Sequence, residues 1–383
     1  MSKGAGWIVL FGSGETSPSG RKAFDWLMQR LTMPVGVAIV ETPAGFELNS
    51  AQVAGRVGDF LKKHLQNYRP QITVVPARKR GTLYSPDSPE IAAQIIGSDL
   101  IFLGPGSPTY AARQLRDSVT WYTVLANQRL GSALVLASAA AIASGALALP
   151  VYEIYKVGQD LHWQEGLDLF AAYGLSLVFV PHWNNRDGGV ELDTSRCYMG
   201  QARFEPLLEM LPPDVTVVGI DEGTALAMHM ESGTCHVLGQ GGVTVLGGGG
   251  RERFEQPATF SIDRLGSFRQ PVAGSGLPQV LGVVGPTVSR VVLAAAMTVG
   301  IHQEHGAPVL HAGRDRRARA GTPRASACTA TCGSCPCSRP PRAGPTSAPT
   351  CPARAPRRPA CRRPARPARP RSFRSGRRSP SGW

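Results

Sequence analysis

The chain has 383 residues and a formal net charge of +14, from 41 Lys+Arg against 27 Asp+Glu. The excess sits at one end: residues 311–383 hold 18 Arg, no Lys and one acid, Asp315, while the first 310 residues hold 23 basic and 26 acidic side chains. A body so close to neutral excludes a basic nucleic-acid-binding fold as its main role, and its length suffices to bury a core of its own.

Short apolar runs alternate with amphipathic stretches along the body. Strands are expected at 7–11, 35–40, 72–76, 100–103, 133–137, 175–180 and 215–220. Helices are expected at 20–31, 50–67, 88–96 and 111–127. The strand runs are apolar throughout, as strands buried on both faces of a parallel sheet are. The alternation predicts an α/β fold: an open, mostly parallel sheet with helices on both faces. Runs at 235–238, 243–246 and 259–262 read as a closing β meander. Residues 1–270 form the α/β domain, 271–310 a linker or short helix, and 311–383 an Arg/Pro/Cys-rich tail. That tail has few large apolar side chains with which to offset ordering entropy, so disorder is expected. Its all-Arg basicity equally resembles out-of-frame translation of a GC-rich gene, and both readings stay open.

Two further features bound the setting. The body holds only Cys197 and Cys235, against six cysteines in the tail, which fits a reducing, cytoplasmic compartment. Residues 131–150 carry no charge, yet they are mostly Ala, Ser, Gly and Leu and read as a strand and buried helix rather than a membrane span. Cys332 and Cys335 lack a second pair at metal-binding spacing, so no metal and no cofactor are expected.

In open α/β sheets, chemistry gathers at the carboxyl ends of the strands. Ser138 follows one strand and precedes a run of small residues, Ala139-Ala140-Ala141. A serine there can sit on a sharp strand-to-helix turn, with the next backbone N–H free to stabilise an oxyanion. A helix N-cap serine is the plainer alternative. His182 ends another strand and can serve as general base to a nucleophile on an adjacent strand. Glu153 lies between the two in sequence and can orient the imidazole.

The ordered set Ser138, Glu153, His182 resembles the cyanophycinase and peptidase E (aspartyl dipeptidase) family of serine peptidases, in the class I glutamine amidotransferase-like superfamily. The resemblance spans about residues 5–268. It rests on Gly12-Ser13-Gly14-Glu15, Phe102-Leu103-Gly104-Pro105-Gly106, Ala137-Ser138-Ala139-Ala140-Ala141, Pro181-His182-Trp183-Asn184-Asn185-Arg186 and, most specific, Gly219-Ile220-Asp221-Glu222-Gly223-Thr224-Ala225-Leu226. It implies a hydrolase that cuts an aspartyl-linked peptide or isopeptide bond. Ser138 would attack, His182 would act as base and then acid, and Glu153 would orient His182. The Gly106 and Ala139 N–H groups would form the oxyanion hole, and Arg186 and Glu15 would bind substrate. The sequence departs from the family at Leu136 and Ala140, where Gly is usual, and at Pro105. A β-carbon strains a sharp turn, so a catalytically degenerate domain acting as a binding module is the competing reading. The implied partner is a small peptide or isopeptide, without a membrane. Nucleic acid enters only if the basic tail is genuine, and a homodimer is left open.

Overall fold

The computed structural model describes residues 6–248 and 250–271. The linker and tail beyond Pro271 lie outside the described residues. The strands are β1 (Trp7–Phe11), β2 (Gly36–Val40), β3 (Gln71–Val75), β4 (Leu100–Leu103), β5 (Ala133–Ala137), β6 (Leu147–Ala148), β7 (Gln164–Glu165), β8 (Leu177–Val180), β9 (Thr216–Ile220), β10 (Thr224–His229), β11 (Thr234–Gly239), β12 (Gly242–Gly247), β13 (Gly250–Glu255) and β14 (Ala258–Ser261). The helices are α1 (Pro18–Met28), α2 (Ser50–His64), α3 (Pro89–Ala92), α4 (Pro108–Leu115), α5 (Val119–Arg129), α6 (Ala139–Ala143), α7 (Val151–Tyr155) and α8 (Gly200–Glu209).

Five parallel strands, in the order β1-β5-β4-β2-β3, form the heart of an eight-stranded sheet. Strands β10, β11 and β14 extend it antiparallel beyond β1. Alternate residues of each central strand enter different cores. Ile8, Leu10, Ile101, Leu103, Leu134 and Leu136 pack with Trp121 and Val124 of α5. Val9, Phe11, Val37, Ile39, Phe102 and Val135 pack with Phe24 and Leu27 of α1 and Val57 and Leu61 of α2. Both faces are thus covered, which is why these strands carry no polar alternation.

Helix starts follow local chemistry. Ser17 and Ser107 cap α1 and α4, accepting from Gly20 N–H at 3.2 Å and Tyr110 N–H at 3.1 Å, each with Pro at the first helical position. The single helix expected at 111–127 is two. Asp117 takes a left-handed φ of 56° and Ser118 opens a new helix by accepting from Trp121 N–H at 3.1 Å.

The sequence reading also set the strand bearing His182 beside the nucleophile strand. Instead, β8 pairs in parallel with β9 in a second, four-stranded sheet of order β13-β12-β9-β8. The expected meander is divided: β11 and β14 join the large sheet, and β12 joins the small one. Sequential apolar strands do not by themselves say which sheet they enter. Phe179 of β8 belongs to the core under the large sheet, whereas its neighbours Val178 and Val180 face α8. Phe179 therefore links the two sheets. Replacing this fully buried ring with Ala should cost about 3–5 kcal/mol in urea denaturation, and a loss under about 1 kcal/mol would contradict that role.

Candidate active site

Ser138 joins β5 to α6 with φ 50° and ψ −110°. This is a left-handed residue with a β-carbon, a conformation that costs of order 1–3 kcal/mol and persists only where surroundings enforce it. Here the enforcement is crowding. Ala137 is buried against one side of the sheet, and Ala139 through Ala143 are all buried on the other side of the turn. Leu136 and Ala140 are accommodated in that packing, and the sharp turn forms without glycine at either position. Ser138 makes no side-chain cap to α6, so the N-cap alternative does not describe it. Its side chain turns instead to His182.

His182 also has a left-handed φ, 50°. Its N–H donates to the Gly12 carbonyl at 3.0 Å, and its own carbonyl accepts from Asn185 N–H at 3.1 Å and Cys197 N–H at 3.2 Å. The loops after β1 and β8 thus fix the backbone, and the ring falls between two partners. Nε2 lies 3.1 Å from Ser138 Oγ, and Nδ1 lies 2.9 Å from Glu222 Oε1. Ser138 and His182 are 8% and 6% exposed.

The carboxylate on His182 is Glu222, not Glu153. Glu153 lies in the first turn of α7, where its Oε2 is buried without a hydrogen-bond partner among the described residues. Glu222 follows β9, which pairs directly with β8, so the ends of these two strands bring acid and imidazole together. Chain order favoured Glu153, and strand pairing selects Glu222. The signal was present in Asp221-Glu222-Gly223, a pair of acids at a strand end within the most family-like string.

Glu222 is itself held. Its N–H donates to Asn184 Oδ1 at 2.8 Å, and its Oε1 accepts from Asn185 Nδ2 at 2.9 Å. Asn185 Nδ2 also reaches Asp187 Oδ2 at 3.0 Å, and Tyr198 donates its hydroxyl to that same oxygen at 2.9 Å. The bond from His182 holds the Glu222 carboxyl below its ordinary value; burial opposes this and Asn185 reinforces it. An ionised Glu222 accepts from Nδ1–H, which leaves Nε2 of a neutral imidazole as acceptor for the Ser138 hydroxyl. Tyr198 stands at the end of three consecutive left-handed residues, Arg196, Cys197 and Tyr198. This tight turn lays Tyr198 beside the imidazole, ring centroids 5.9 Å apart.

The remaining expected residues divide. Gly106 lies by the nucleophile with φ 148°, and a β-carbon there would stand 1.9 Å from the Pro43 carbonyl oxygen, so only glycine fits. Ala139 is the first residue of α6, and its N–H has no acceptor within that helix. Glu15, on the loop after β1, is half-buried; burial raises its carboxyl, against the pull of its own backbone N–H and of His182. Arg186 is exposed and does not line the cavity at Ser138. That cavity, of about 240 Å³, runs from Gly106, Ser138 and Ala139 to Tyr152 and Tyr155 of α7 and to Tyr198. Burial, with Glu222 nearby, pushes the Cys197 thiol in its wall far up, so this sulfur stays a neutral wall atom.

Beneath the site, Asp221 fixes the end of β9. It accepts from Gly242 N–H at 2.9 Å and from Arg253 Nη2 at 2.6 Å, binding β9 to β12 and β13. Among the described residues there is no cluster of metal-ligating side chains, and no helix is long and apolar enough to cross a membrane.

No family model matches the sequence, and no curated protein matches it. Solved structures do match. The first is a peptidase from an acI-B1 actinobacterium: 21% identity, 68% of this chain and 98% of that one, TM-score 0.54. This chain shares that peptidase's fold. A fainter likeness, with TM-score 0.39, is to a proposed peptidase E from Listeria monocytogenes, 14% identical over 66% of this chain and 98% of that one. The first likeness covers 68% of this chain, and the shared fold is the α/β one expected from the sequence.

Because its folded-state pKa is depressed, Glu222 stabilises the fold above its unfolded value and loses that contribution as pH falls through the folded one. The stability gap between wild type and Glu222→Gln should therefore shrink as pH drops below about 4, in chemical denaturation at stepped pH. A gap constant from neutral pH downward would contradict an ionised Glu222.

Proposed function

We propose that the chain is a serine hydrolase that cleaves an amide bond in a short peptide or isopeptide, with Ser138 as nucleophile, His182 as base and then acid, and Glu222 as the orienting carboxylate. The observation that carries this reading is the continuous contact from Ser138 Oγ to His182 Nε2 to Glu222, 3.1 Å and 2.9 Å, on a left-handed strand-to-helix turn. The degenerate-module reading calls for a Ser138 that is buried or beyond hydrogen-bond reach of His182. Ser138 is only 8% exposed, but it lies within reach of His182 and lines the cavity of about 240 Å³, and these two observations support the hydrolase reading.

In the first half-reaction Ser138 Oγ adds to the scissile carbonyl as its proton passes to His182 Nε2. The imidazolium that forms is stabilised by Glu222. The oxyanion develops against the N–H groups of Gly106 and Ala139, the second at the start of α6. His182 then protonates the leaving amine, and an acyl-Ser138 ester remains. Water, deprotonated by the same imidazole, releases the acid and regenerates the serine. The half-closed cavity, walled in part by Ile142 and Val151, strengthens each of these electrostatic contacts.

The aspartyl preference is the finer part of the proposal. It rests on the resemblance and on Arg186, an exposed arginine on the loop bearing Asn184 and Asn185, whose guanidinium would pair bidentately with a substrate carboxylate. Two buried free cysteines fit a reducing setting, and we place the enzyme in the cytoplasm.

The test is steady-state hydrolysis of Asp-containing dipeptides and isopeptides by the full chain. Ser138→Ala should abolish turnover. Glu222→Gln should lower kcat roughly 10²- to 10⁴-fold, whereas Glu153→Gln should change it less than about threefold. The reverse ranking of the two glutamates would overturn the assignment. Arg186→Ala should raise KM for Asp-containing substrates with kcat little changed, and an unaltered KM would remove Arg186 from substrate binding.

A further inference from the structure

A second cavity, of about 380 Å³, lies between α5 and the segment 167–172, lined by residues that the proposed reaction does not use. Arg129, the last residue of α5, stands in its wall and is 3% exposed. Its Nη1 is shielded from solvent and has no hydrogen-bond partner among the described residues. No ion pair reaches it there either. The guanidinium does meet the Tyr173 hydroxyl, a neutral group that itself donates to Gln128 Oε1 at 2.9 Å, but it meets no carboxylate among the described residues.

Less buried guanidinium groups, by contrast, have a carboxylate partner. Arg78 pairs with Glu41 at 2.7 Å, Arg253 pairs with Asp221 at 2.6 Å, and Arg116 pairs with Glu165. A buried charge without a partner is costly, and the geometry that relieves it best for a guanidinium is a bidentate carboxylate. Burial already lowers the Arg129 pKa, a sign of the same unrelieved charge.

The rest of the cavity states what carries that carboxylate. Trp121, Leu125 and Leu169 are buried apolar walls. Asp117 and Asp168 line it as exposed carboxylates, the first accepting from the Tyr122 hydroxyl at 2.8 Å. Apolar walls favour an apolar body. Two carboxylates in the lining disfavour a second negative charge on the ligand.

We propose that this cavity binds a small organic monocarboxylate with an apolar or aromatic body, its carboxylate on Arg129. The site is separate from Ser138 and the inference does not depend on the proposed hydrolysis.

Isothermal titration of the full chain with 3-phenylpropionate tests it. One saturable site is expected, unchanged in Ser138→Ala and weakened at least about tenfold in Arg129→Met, the loss of one charge-assisted pair. The neutral 3-phenylpropanamide and the dianionic succinate should bind at least tenfold more weakly than the monocarboxylate. Leu125→Trp, which fills the cavity and leaves Arg129 in place, should also abolish binding and serves if Arg129→Met does not fold. Absence of saturable binding in the wild type, or binding that survives Arg129→Met or Leu125→Trp, would overturn the proposal. Binding lost when Ser138 is covalently blocked would place the ligand at the other cavity and equally overturn it.

Discussion

The contact between Ser138 and His182 is possible because two residues with β-carbons are forced into left-handed backbone. Both have φ near 50°. Neither conformation is favourable in isolation, at roughly 1–2 kcal/mol each. Each is imposed by hydrogen bonds and packing on both sides: Ser138 by the all-buried β5–α6 junction, His182 by Gly12, Asn185 and Cys197. The large two-faced sheet is the source of that rigidity. A site held this firmly is preorganised, which is what electrostatic stabilisation of an oxyanion requires.

The two halves of the constellation come from different sheets. The large sheet delivers Ser138 and, through its neighbouring loops, Gly12 and Gly106. The small sheet delivers His182 and Glu222 from the paired ends of β8 and β9. The imidazole bridges them. Asn184 and Asn185 keep Glu222 in place, one through its backbone N–H and one through its carboxylate. Tyr198 and Asp187 brace Asn185 in turn. These side chains act on the reaction only through Glu222, and their value lies in fixing its ionised form toward Nδ1.

Much of this was legible in the residues. Continuous apolar runs identified the central strands because both faces are buried, and the serine and histidine stood out as polar residues at strand ends. The acid did not, because chain order carries no information on which strand ends are neighbours. Glu153 looked right by position between Ser138 and His182, yet α7 carries it to a place where its Oε2 is buried without a hydrogen-bond partner among the described residues. Departures from glycine at Leu136 and Ala140 suggested a blunter turn. Crowding by small residues on the far side proved sufficient to keep it sharp. The second sheet was invisible for the same reason as the acid: β8 and β9 have the composition of central strands, and only pairing separates them.

The most direct test of the account is covalent labelling of the full chain with a small serine-directed fluorophosphonate, read by intact mass and peptide mapping. The account predicts a single adduct on Ser138, formed at a rate that collapses in His182→Ala while the protein remains folded. No adduct at Ser138, or one that forms equally fast without His182, would contradict an activated nucleophile and leave the constellation as a structural contact.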